Sequence, residues 1–263
     1  MRKITFFILL VCLFASCSTV MLTGRKQLLL VSNADVLTSS FQSYKQFIDS
    51  VPASKDKENT ALVKTVGQKI STAVEAYLRA NGMSAEVSDF AWEFNLVKDT
   101  SVNAFCMPGG KVVVFDGILP ITQNEVGLAV VLGHEIAHAV AKHSNERMSQ
   151  QIVLQYGASA ADMLLANKPA VTRSTINTIY GLGAQYGVML PYSRTHEYEA
   201  DRLGLIFLAM AGYDPNEAVS FWERMAAHSG NAPIELMSTH PSDANRIAQI
   251  KQYLPEALQY YKK

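Results

Sequence analysis

The chain has 263 residues, and its 23 Lys and Arg side chains are balanced by 23 Asp and Glu side chains, so the formal net charge is zero. Nucleic-acid-binding proteins usually carry a basic excess, and we therefore expect no nucleic-acid partner. The length and the hydrophobic fraction of 49% suffice for one domain with a sizeable core. Because the sequence shows no internal repeat and no low-complexity linker, we predict a single domain over residues 17–263.

The first residues of the chain have the pattern of a bacterial export signal. Residues 1–3 include two basic side chains, residues 4–15 are apolar, and small residues precede Cys17. The apolar run is too short for a comfortable transmembrane helix. The residues before Cys17 resemble a lipobox, which predicts that residues 1–16 are a signal peptide and that Cys17 becomes lipidated. Cys12 is a competing but less suitable site, and an uncleaved anchor is the alternative.

Helical spacing of apolar residues dominates the rest of the chain, with a short β segment before the middle. A Gly- and Ala-rich segment over 168–191 is interpreted either as a helical lid over a cleft or as a core helix. This content predicts an α+β fold that is mainly helical. The predicted elements, in chain order, are helices over 34–49 and 57–80, strands at 103–105 and 111–115 joined by a Pro-Gly-Gly turn, a helix from 121 to 141 that starts at a capping box of Thr122 and Glu125 and extends towards 165, a helix from 197 to Gly212, a helix capped by Asp214 and Pro215, and a last helix over 242–253.

The most specific motif of the sequence is HEIAH, which runs from His134 to His138. Residues four apart lie on one face of a helix, so the two imidazoles can bind one Zn²⁺. Glu135 lies close enough to activate a water molecule as a general base. The surrounding helix is almost entirely apolar or small, and a buried carboxylate without a partner is costly. Burial therefore favours a metal site over a helix that carries two histidines by chance.

A catalytic zinc takes three protein ligands and leaves one position for water. His143, about 140° around the helix from His138, cannot join the same ion and is interpreted as a solvated residue. Glu197 and Asp201 lie four apart on a later predicted helix and share one face. We predict one zinc per chain, with Glu197 as the third ligand and Asp201 as acceptor for the far nitrogen of a ligand histidine. Glu199 is assigned to a solvated acidic face.

These motifs together resemble the gluzincin type of zinc metallopeptidase. More narrowly, they resemble the family of CAAX prenyl proteases, HtpX-like heat-shock proteases and periplasmic quality-control lipoprotein peptidases. The resemblance covers nearly all of residues 17–263 and implies a minigluzincin-like core with a small sheet whose edge strand lines the cleft. The segments that carry it, in chain order, are Thr23-Gly24-Arg25-Lys26-Gln27-Leu28, Asn103-Ala104-Phe105 with Pro108-Gly109-Gly110, residues 134–150, residues 193–201, and Ser238-Thr239-His240-Pro241 with Arg246.

The resemblance implies the same three zinc ligands and the same base, with Asp201 beside a ligand. It also implies that Asn103 and Ala104 belong to a strand that pairs with the extended substrate through its backbone. His240 and Arg246 match a late element whose side chains face the active site, where either could donate to the oxyanion of the reaction. In some periplasmic relatives this histidine covers or binds the zinc in a resting state. A helix-capping histidine and a surface arginine are the alternative interpretation.

The sequence thus predicts a zinc-dependent endopeptidase that degrades extended or misfolded proteins of the bacterial cell envelope. We expect it to be lipid-anchored at the outer membrane and to face the periplasm, with unfolded proteins and the membrane as its partners. One alternative is a chaperone-like lipoprotein that binds clients and has weak or latent proteolysis. A zinc hydrolase of small amides or peptidoglycan stems is a second alternative, which the peptide-pairing strand disfavours.

Overall fold

The computed structural model describes residues 17–165, 190–228, 236, 240 and 245–262. Its fold is α+β and mainly helical, as predicted from the sequence. Two short 3₁₀ helices lie within the described part, at Ser84–Asp89 and Asp116–Ile118. The strands are β1 (Cys17–Thr19), β2 (Lys26–Leu28), β3 (Glu93–Val97), β4 (Ala104–Met107) and β5 (Lys111–Phe115), and the helices are α1 (Asn33–Ser50), α2 (Lys57–Ala80), α3 (Leu119–Thr122), α4 (Glu125–Val140), α5 (His143–Leu165), α6 (Leu190–Met210), α7 (Glu217–His228) and α8 (Arg246–Ala257).

The centre of the fold is α4, a helix with few polar residues that is buried along most of its length. It packs against α6, α2, α7 and strand β4. Two glycines allow α4 and α6 to approach each other closely. A Cβ atom added to Gly133 would lie 3.0 Å from the carbonyl oxygen of Gly204. Larger residues there would separate the two helices that carry the HEIAH motif and the later acidic motif.

A three-stranded sheet covers one side of α4, with the strand order β3-β5-β4. Strands β3 and β5 are parallel, whereas β4 and β5 are antiparallel, with Ala104 opposite Val114 and Met107 opposite Lys111. Strand β4 is therefore an edge strand, and it is the strand of this sheet that packs most extensively against α4. The predicted strand at 111–115 is confirmed, and the one predicted at 103–105 begins one residue later and extends to Met107.

The single helix predicted from residue 121 towards 165 is three helices in the structure. Thr122 ends the short helix α3, and the backbone then turns at Gln123, which has φ 64°. Helix α4 is capped by Asn124, whose side chain accepts a hydrogen bond of 2.8 Å from the backbone N–H of Gly127. The predicted capping box of Thr122 and Glu125 is therefore wrong. A second break follows at Lys142, which has φ 61°, so α5 starts a new helix direction.

The other predicted helices agree with the structure to within a few residues at most ends. The bounds of α2 are as predicted, α6 begins earlier than predicted, and Gly212 follows it with φ 88°. Asp214 accepts a hydrogen bond from the backbone of Asn216 just before α7. The last helix begins at Arg246, and the predicted start at 242 lies outside the described residues, as do residues 1–16 and most of 168–191. None of the described helices is long and apolar enough to cross a membrane.

Candidate metal centre

The two histidines of the HEIAH motif meet an acidic residue of the neighbouring helix. His134 and His138 lie four residues apart on α4 and place their Nε2 atoms 3.1 Å from each other. Glu197 of α6 faces both imidazoles. One of its carboxylate oxygens lies 3.3 Å from His134 Nε2, and the other lies 3.5 Å from His138 Nε2. The two motifs that are far apart in the sequence are thus brought together at one point.

His240 completes this cluster. Its Nδ1 lies 3.3 Å from Nε2 of His134 and 3.1 Å from Oε1 of Glu197. One ligand atom from each of the four residues lies within 4.8 Å of the other three. Two backbone hydrogen bonds connect His240 to the start of β4. The N–H of His240 donates to the carbonyl of Leu236 (2.8 Å), and the N–H of Leu236 donates to the carbonyl of Val102 (3.1 Å).

The geometry and chemistry of these donors fit a zinc ion. Bond lengths of about 2.0–2.1 Å in a tetrahedral zinc site place neighbouring ligand atoms about 3.3 Å apart. The distances among His134, His138 and Glu197, which run from 3.1 to 3.5 Å, agree with that spacing. Imidazole nitrogens and a carboxylate are also the ligands that catalytic zinc sites use. These three residues would hold the ion, and His240 offers a nitrogen at the fourth position.

Glu135 lies beside the cluster and is buried. Its Oε1 is 3.5 Å from Nε2 of His240, and this oxygen accepts no hydrogen bond within the described part of the chain. Burial raises the pKa of Glu135 above its ordinary value, although the nearby histidines oppose that shift. A carboxylate with a raised pKa and an oxygen that accepts no hydrogen bond is suited to take up a proton and return it. Phe105 and Cys106 of the edge strand line the same cavity as Glu135.

Asp201 contacts the second ring nitrogen of His134, Nδ1, and Nη2 of Arg246 lies 3.3 Å from both ring nitrogens. Nδ1 of His134 lies 2.9 Å from Oδ1 of Asp201, so the predicted contact between Asp201 and a ligand histidine is present. Burial raises the pKa of Asp201, but the charge of Arg246 and the hydrogen bonds from His134 and Arg246 together lower it, and the net shift is downward. Arg246 is 0% exposed, which contradicts the alternative of a surface arginine. Its Nη1 lies 3.3 Å from Glu197, and its proposed role at the oxyanion stays a prediction.

His143 and Glu199 differ from the sequence-based interpretation, which assigned both to solvent. His143 is 2% exposed and Glu199 is 6% exposed. Nδ1 of His143 lies 2.8 Å from Nδ1 of His138, and its Nε2 lies 2.8 Å from Glu199. Burial lowers the pKa of His143 to about 4, so its imidazole is neutral at pH 7. His143 is not among the cluster residues, as predicted, but its assignment to solvent is wrong, because the chain breaks at Lys142 and α5 does not continue the α4 helix.

Three further residues belong to this buried polar cluster and were not singled out from the sequence. Arg25, which precedes β2, donates to Glu199 at 2.7 Å and to both carboxylate oxygens of Glu146 at 3.0 and 2.7 Å. His196 lies 3.0 Å from Glu146 and stacks on the ring of His143. A signal for them existed, because all three lie inside the segments that carry the family resemblance.

The remaining predicted site residues lie in strands or directly before one. Asn103 and Ala104 are buried at the start of β4, where the Ala104 N–H donates to the Asn103 side chain at 2.9 Å. The carbonyl of Asn103 accepts a hydrogen bond from the backbone of Phe115. The pairing of Asn103 and Ala104 with a substrate stays a prediction. Cys17, the predicted lipidation site, is the first residue of β1 and pairs with Leu28.

The fold and the cluster of two histidines and a glutamate, with a second glutamate beside them, define a zinc metallopeptidase. Sequence comparison agrees, since residues 65–254 match the family described as peptidase family M48. The chain belongs to this family of metallopeptidases, and its cluster fits a zinc ion. Its activity as an enzyme and its use of zinc were both predicted from the sequence, and both are confirmed.

Relatives of the chain occur in mitochondria and in bacteria. The mitochondrial metalloendopeptidase OMA1 of Schizosaccharomyces pombe is 39% identical over 190 residues, which are 72% of this chain and 53% of the relative. The mitochondrial metalloendopeptidase OMA1 of Homo sapiens is 30% identical over 243 residues, which are 90% of this chain and 46% of the relative. The beta-barrel assembly-enhancing protease of Yersinia pestis is 30% identical over 230 residues, which are 82% of this chain and 45% of the relative. The chain thus spans about half the length of these relatives.

Proposed function

We propose that the protein degrades extended or misfolded proteins of the bacterial cell envelope, tethered to the membrane by a lipid on Cys17. The lipobox-like sequence before Cys17 supports the tether and export. A relative from Yersinia pestis is named a beta-barrel assembly-enhancing protease, and bacterial β-barrels belong to the outer membrane. This supports a location in the envelope, facing the periplasm. Within the family, we place the chain with the periplasmic lipoprotein peptidases.

The edge strand next to the metal cluster is the observation that favours extended peptides as substrates. Strand β4 is paired on one side only within its sheet, and its residues Phe105 and Cys106 line the cavity that contains Glu135 and His138. An extended peptide can add to such an edge through its backbone, which selects for unfolded chain rather than for a particular side chain. A small amide offers too few backbone groups to use this edge.

In this proposal His134, His138 and Glu197 hold the zinc ion. When bound, zinc polarises the scissile carbonyl and lowers the pKa of a water molecule. Glu135 takes the proton of the attacking water and returns it to the leaving amine, a role that its raised pKa favours. Asp201 keeps Nδ1 of His134 protonated, so that Nε2 is free to face the ion.

One observation favours a latent form of the enzyme. Nδ1 of His240 occupies the fourth side of the cluster, and backbone hydrogen bonds connect His240 through Leu236 to Val102 beside the edge strand. In this state His240 stands where the attacking water would be placed, so its imidazole must move before substrate is cleaved. This is also the observation that favours the second candidate function, a chaperone-like lipoprotein that binds clients and cleaves them weakly.

Replacement of the general base tests the proposal. Glu135→Gln keeps the size of the side chain and every zinc ligand, and it should therefore bind zinc but lose casein hydrolysis. Envelope proteins captured by this inactive variant in cells would identify the substrates. Glu125→Gln is a matched control on the same helix, because Glu125 contacts Lys69 and Tyr213 away from the cluster and should leave hydrolysis unchanged. Casein cleavage by Glu135→Gln at the wild-type rate would contradict the mechanism.

A further inference from the structure

The zinc-binding imidazole of His138 is connected to the N-terminal segment of the chain by a series of hydrogen bonds. We propose that His143, Glu199 and Arg25 position His138 for metal binding, so that Arg25, which precedes the region 65–254 matched by the family, is part of the machinery of the site. The proposal rests on the assignment of His138 as a zinc ligand. It concerns positioning residues, since none of the three touches the cluster atoms that face the ion.

The two nitrogens of His138 have different surroundings. Nε2 faces the cluster, 3.1 Å from Nε2 of His134 and 3.5 Å from Glu197. Nδ1 points the other way, to Nδ1 of His143 at 2.8 Å. A neutral imidazole that offers Nε2 to a metal carries its proton on Nδ1. The proton between the two Nδ1 atoms therefore belongs to His138, and His143 accepts it.

Because Nδ1 of His143 accepts this hydrogen bond, the tautomer of His143 is fixed as well. Its own proton must then lie on Nε2, which is 2.8 Å from Oε2 of Glu199. A carboxylate can only accept, so the series of donors ends there without a conflict. His143 can adopt only this one tautomer, and it therefore fixes the rotation of the His138 ring. Imidazole ligands in metal sites commonly depend on such partners for their orientation and basicity.

Arg25 is the cation that keeps Glu199 charged in this buried place. Its Nε donates to Glu199 at 2.7 Å, and the hydroxyl of Thr23 donates to the other oxygen of the same carboxylate. Nη1 and Nη2 of Arg25 bind Glu146 in a bidentate manner, and Nη1 also donates to the carbonyl of Lys26. A buried carboxylate without a cation is costly, so the guanidinium stabilises the acceptor at the end of the series.

The other ligand histidine, His134, also has a carboxylate and an arginine behind its Nδ1, which supports a role of these partners in metal binding. Nδ1 of His134 contacts Asp201, and Asp201 is paired with Arg246. Both imidazoles of the HEIAH motif thus end on a carboxylate that is held by an arginine. The difference is that the connection from His138 contains an additional imidazole, that of His143. A cluster with only a folding role would not need to present an acceptor to Nδ1 of a ligand.

Zinc affinity of His143 variants in the full chain tests the proposal. His143→Leu removes the acceptor and should weaken zinc binding about 10- to 100-fold in competition with a chromophoric chelator. It should also change the visible spectrum of the Co²⁺-substituted protein. His143→Asn, which places an oxygen near the position of Nδ1, should recover part of both. Arg25→Gln should weaken zinc binding severalfold, whereas Arg79→Gln, at an exposed ion pair on α2, should not.

A measurement on the wild-type protein tests the proposal without relying on variants that could fail to fold. Long-range ¹H–¹⁵N spectra of the zinc-loaded chain should show His138 protonated on Nδ1 and His143 protonated on Nε2 only. A proton on Nδ1 of His143 would overturn the proposal, as would wild-type zinc affinity and an unchanged Co²⁺ spectrum in folded His143→Leu. These outcomes leave the proposed protease intact if Glu135→Gln still binds zinc and is inactive, so the two failures are distinguishable.

Discussion

Arg246 donates two hydrogen bonds, each 2.8 Å long, from Nε and Nη2 to the two carboxylate oxygens of Asp201. The guanidinium group also lies 3.6 Å from the centre of the Trp222 ring, so packing fixes it on a second side. Asp201 in turn contacts His134, which means that the first residue of the last helix determines the orientation of a zinc ligand more than a hundred residues earlier. The carboxyl-terminal helix is therefore part of the site and not an appendage to it.

Loss of this buried arginine should destabilise the protein strongly. Arg246→Ala leaves the buried carboxylates of Asp201 and Glu197 without their cation, and we expect a loss of about 3–5 kcal/mol in the free energy of unfolding. Chemical denaturation of the metal-free protein measures it. Arg202→Ala is the matched control, because Arg202 makes an equally bidentate contact with Glu256 at 2.7 and 2.8 Å but lies partly in solvent. It should lose no more than about 1 kcal/mol, and equal losses in the two variants would contradict the argument.

The principal ligands could be predicted because their spacing is a local property of helices. Four-residue separations place His134 above His138 and Glu197 above Asp201 whatever the rest of the fold does. Chemistry then joins the two pairs, since a zinc ion needs a third ligand and the second acidic residue suits an imidazole N–H. The small sheet and most of the helices followed from hydrophobic periodicity in the same way.

The cluster around His143 could not be predicted in that manner, because it depends on a break in the chain. The positive φ of Lys142 ends one helix and starts another, and a helical-wheel argument holds only within one helix. Glu199 was misassigned for a related reason. Its partner Arg25 lies far away in the sequence, and a contact between distant segments leaves no periodic trace in either one.

Removal of the third ligand should release the metal. Glu197→Ala deletes the only carboxylate in the cluster of His134, His138 and His240, and zinc affinity should fall by more than about a hundredfold. Metal analysis after dialysis against a chelator measures this directly. Glu223→Ala, at an exposed glutamate of α7, should retain one zinc per chain. Full zinc retention by Glu197→Ala would remove Glu197 from the ligand set.

Membrane attachment should depend on Cys17. If this residue is acylated after removal of residues 1–16, metabolic labelling with a fatty acid should mark the wild-type protein and spare Cys17→Ser. Cys12→Ser is the control, because Cys12 lies in the expected signal peptide and its loss should leave the labelling unchanged. Equal labelling of Cys17→Ser and the wild type would show that the lipobox assignment is wrong.

Two roles of His240 predict opposite changes in the cleavage rate when this residue is replaced by alanine. As a resting-state ligand, His240 blocks the position of the attacking water, so His240→Ala should raise the basal rate of peptide cleavage. As a donor to the oxyanion, its loss should instead lower turnover by about a hundredfold. The position of its Nδ1, 3.1 Å from Glu197 and 3.3 Å from His134, favours the first role.

Steady-state kinetics of purified His240→Ala on an unfolded substrate such as casein decide between these outcomes. Increased cleavage must come from the zinc site itself, so the double variant His240→Ala with Glu135→Gln should be inactive. A latency mechanism also predicts that the increase appears in the rate at saturating substrate, because the blocked position is that of the water and not that of the peptide. Kinetics identical to the wild type would contradict both roles and leave His240 with a structural role, through its backbone hydrogen bond to Leu236.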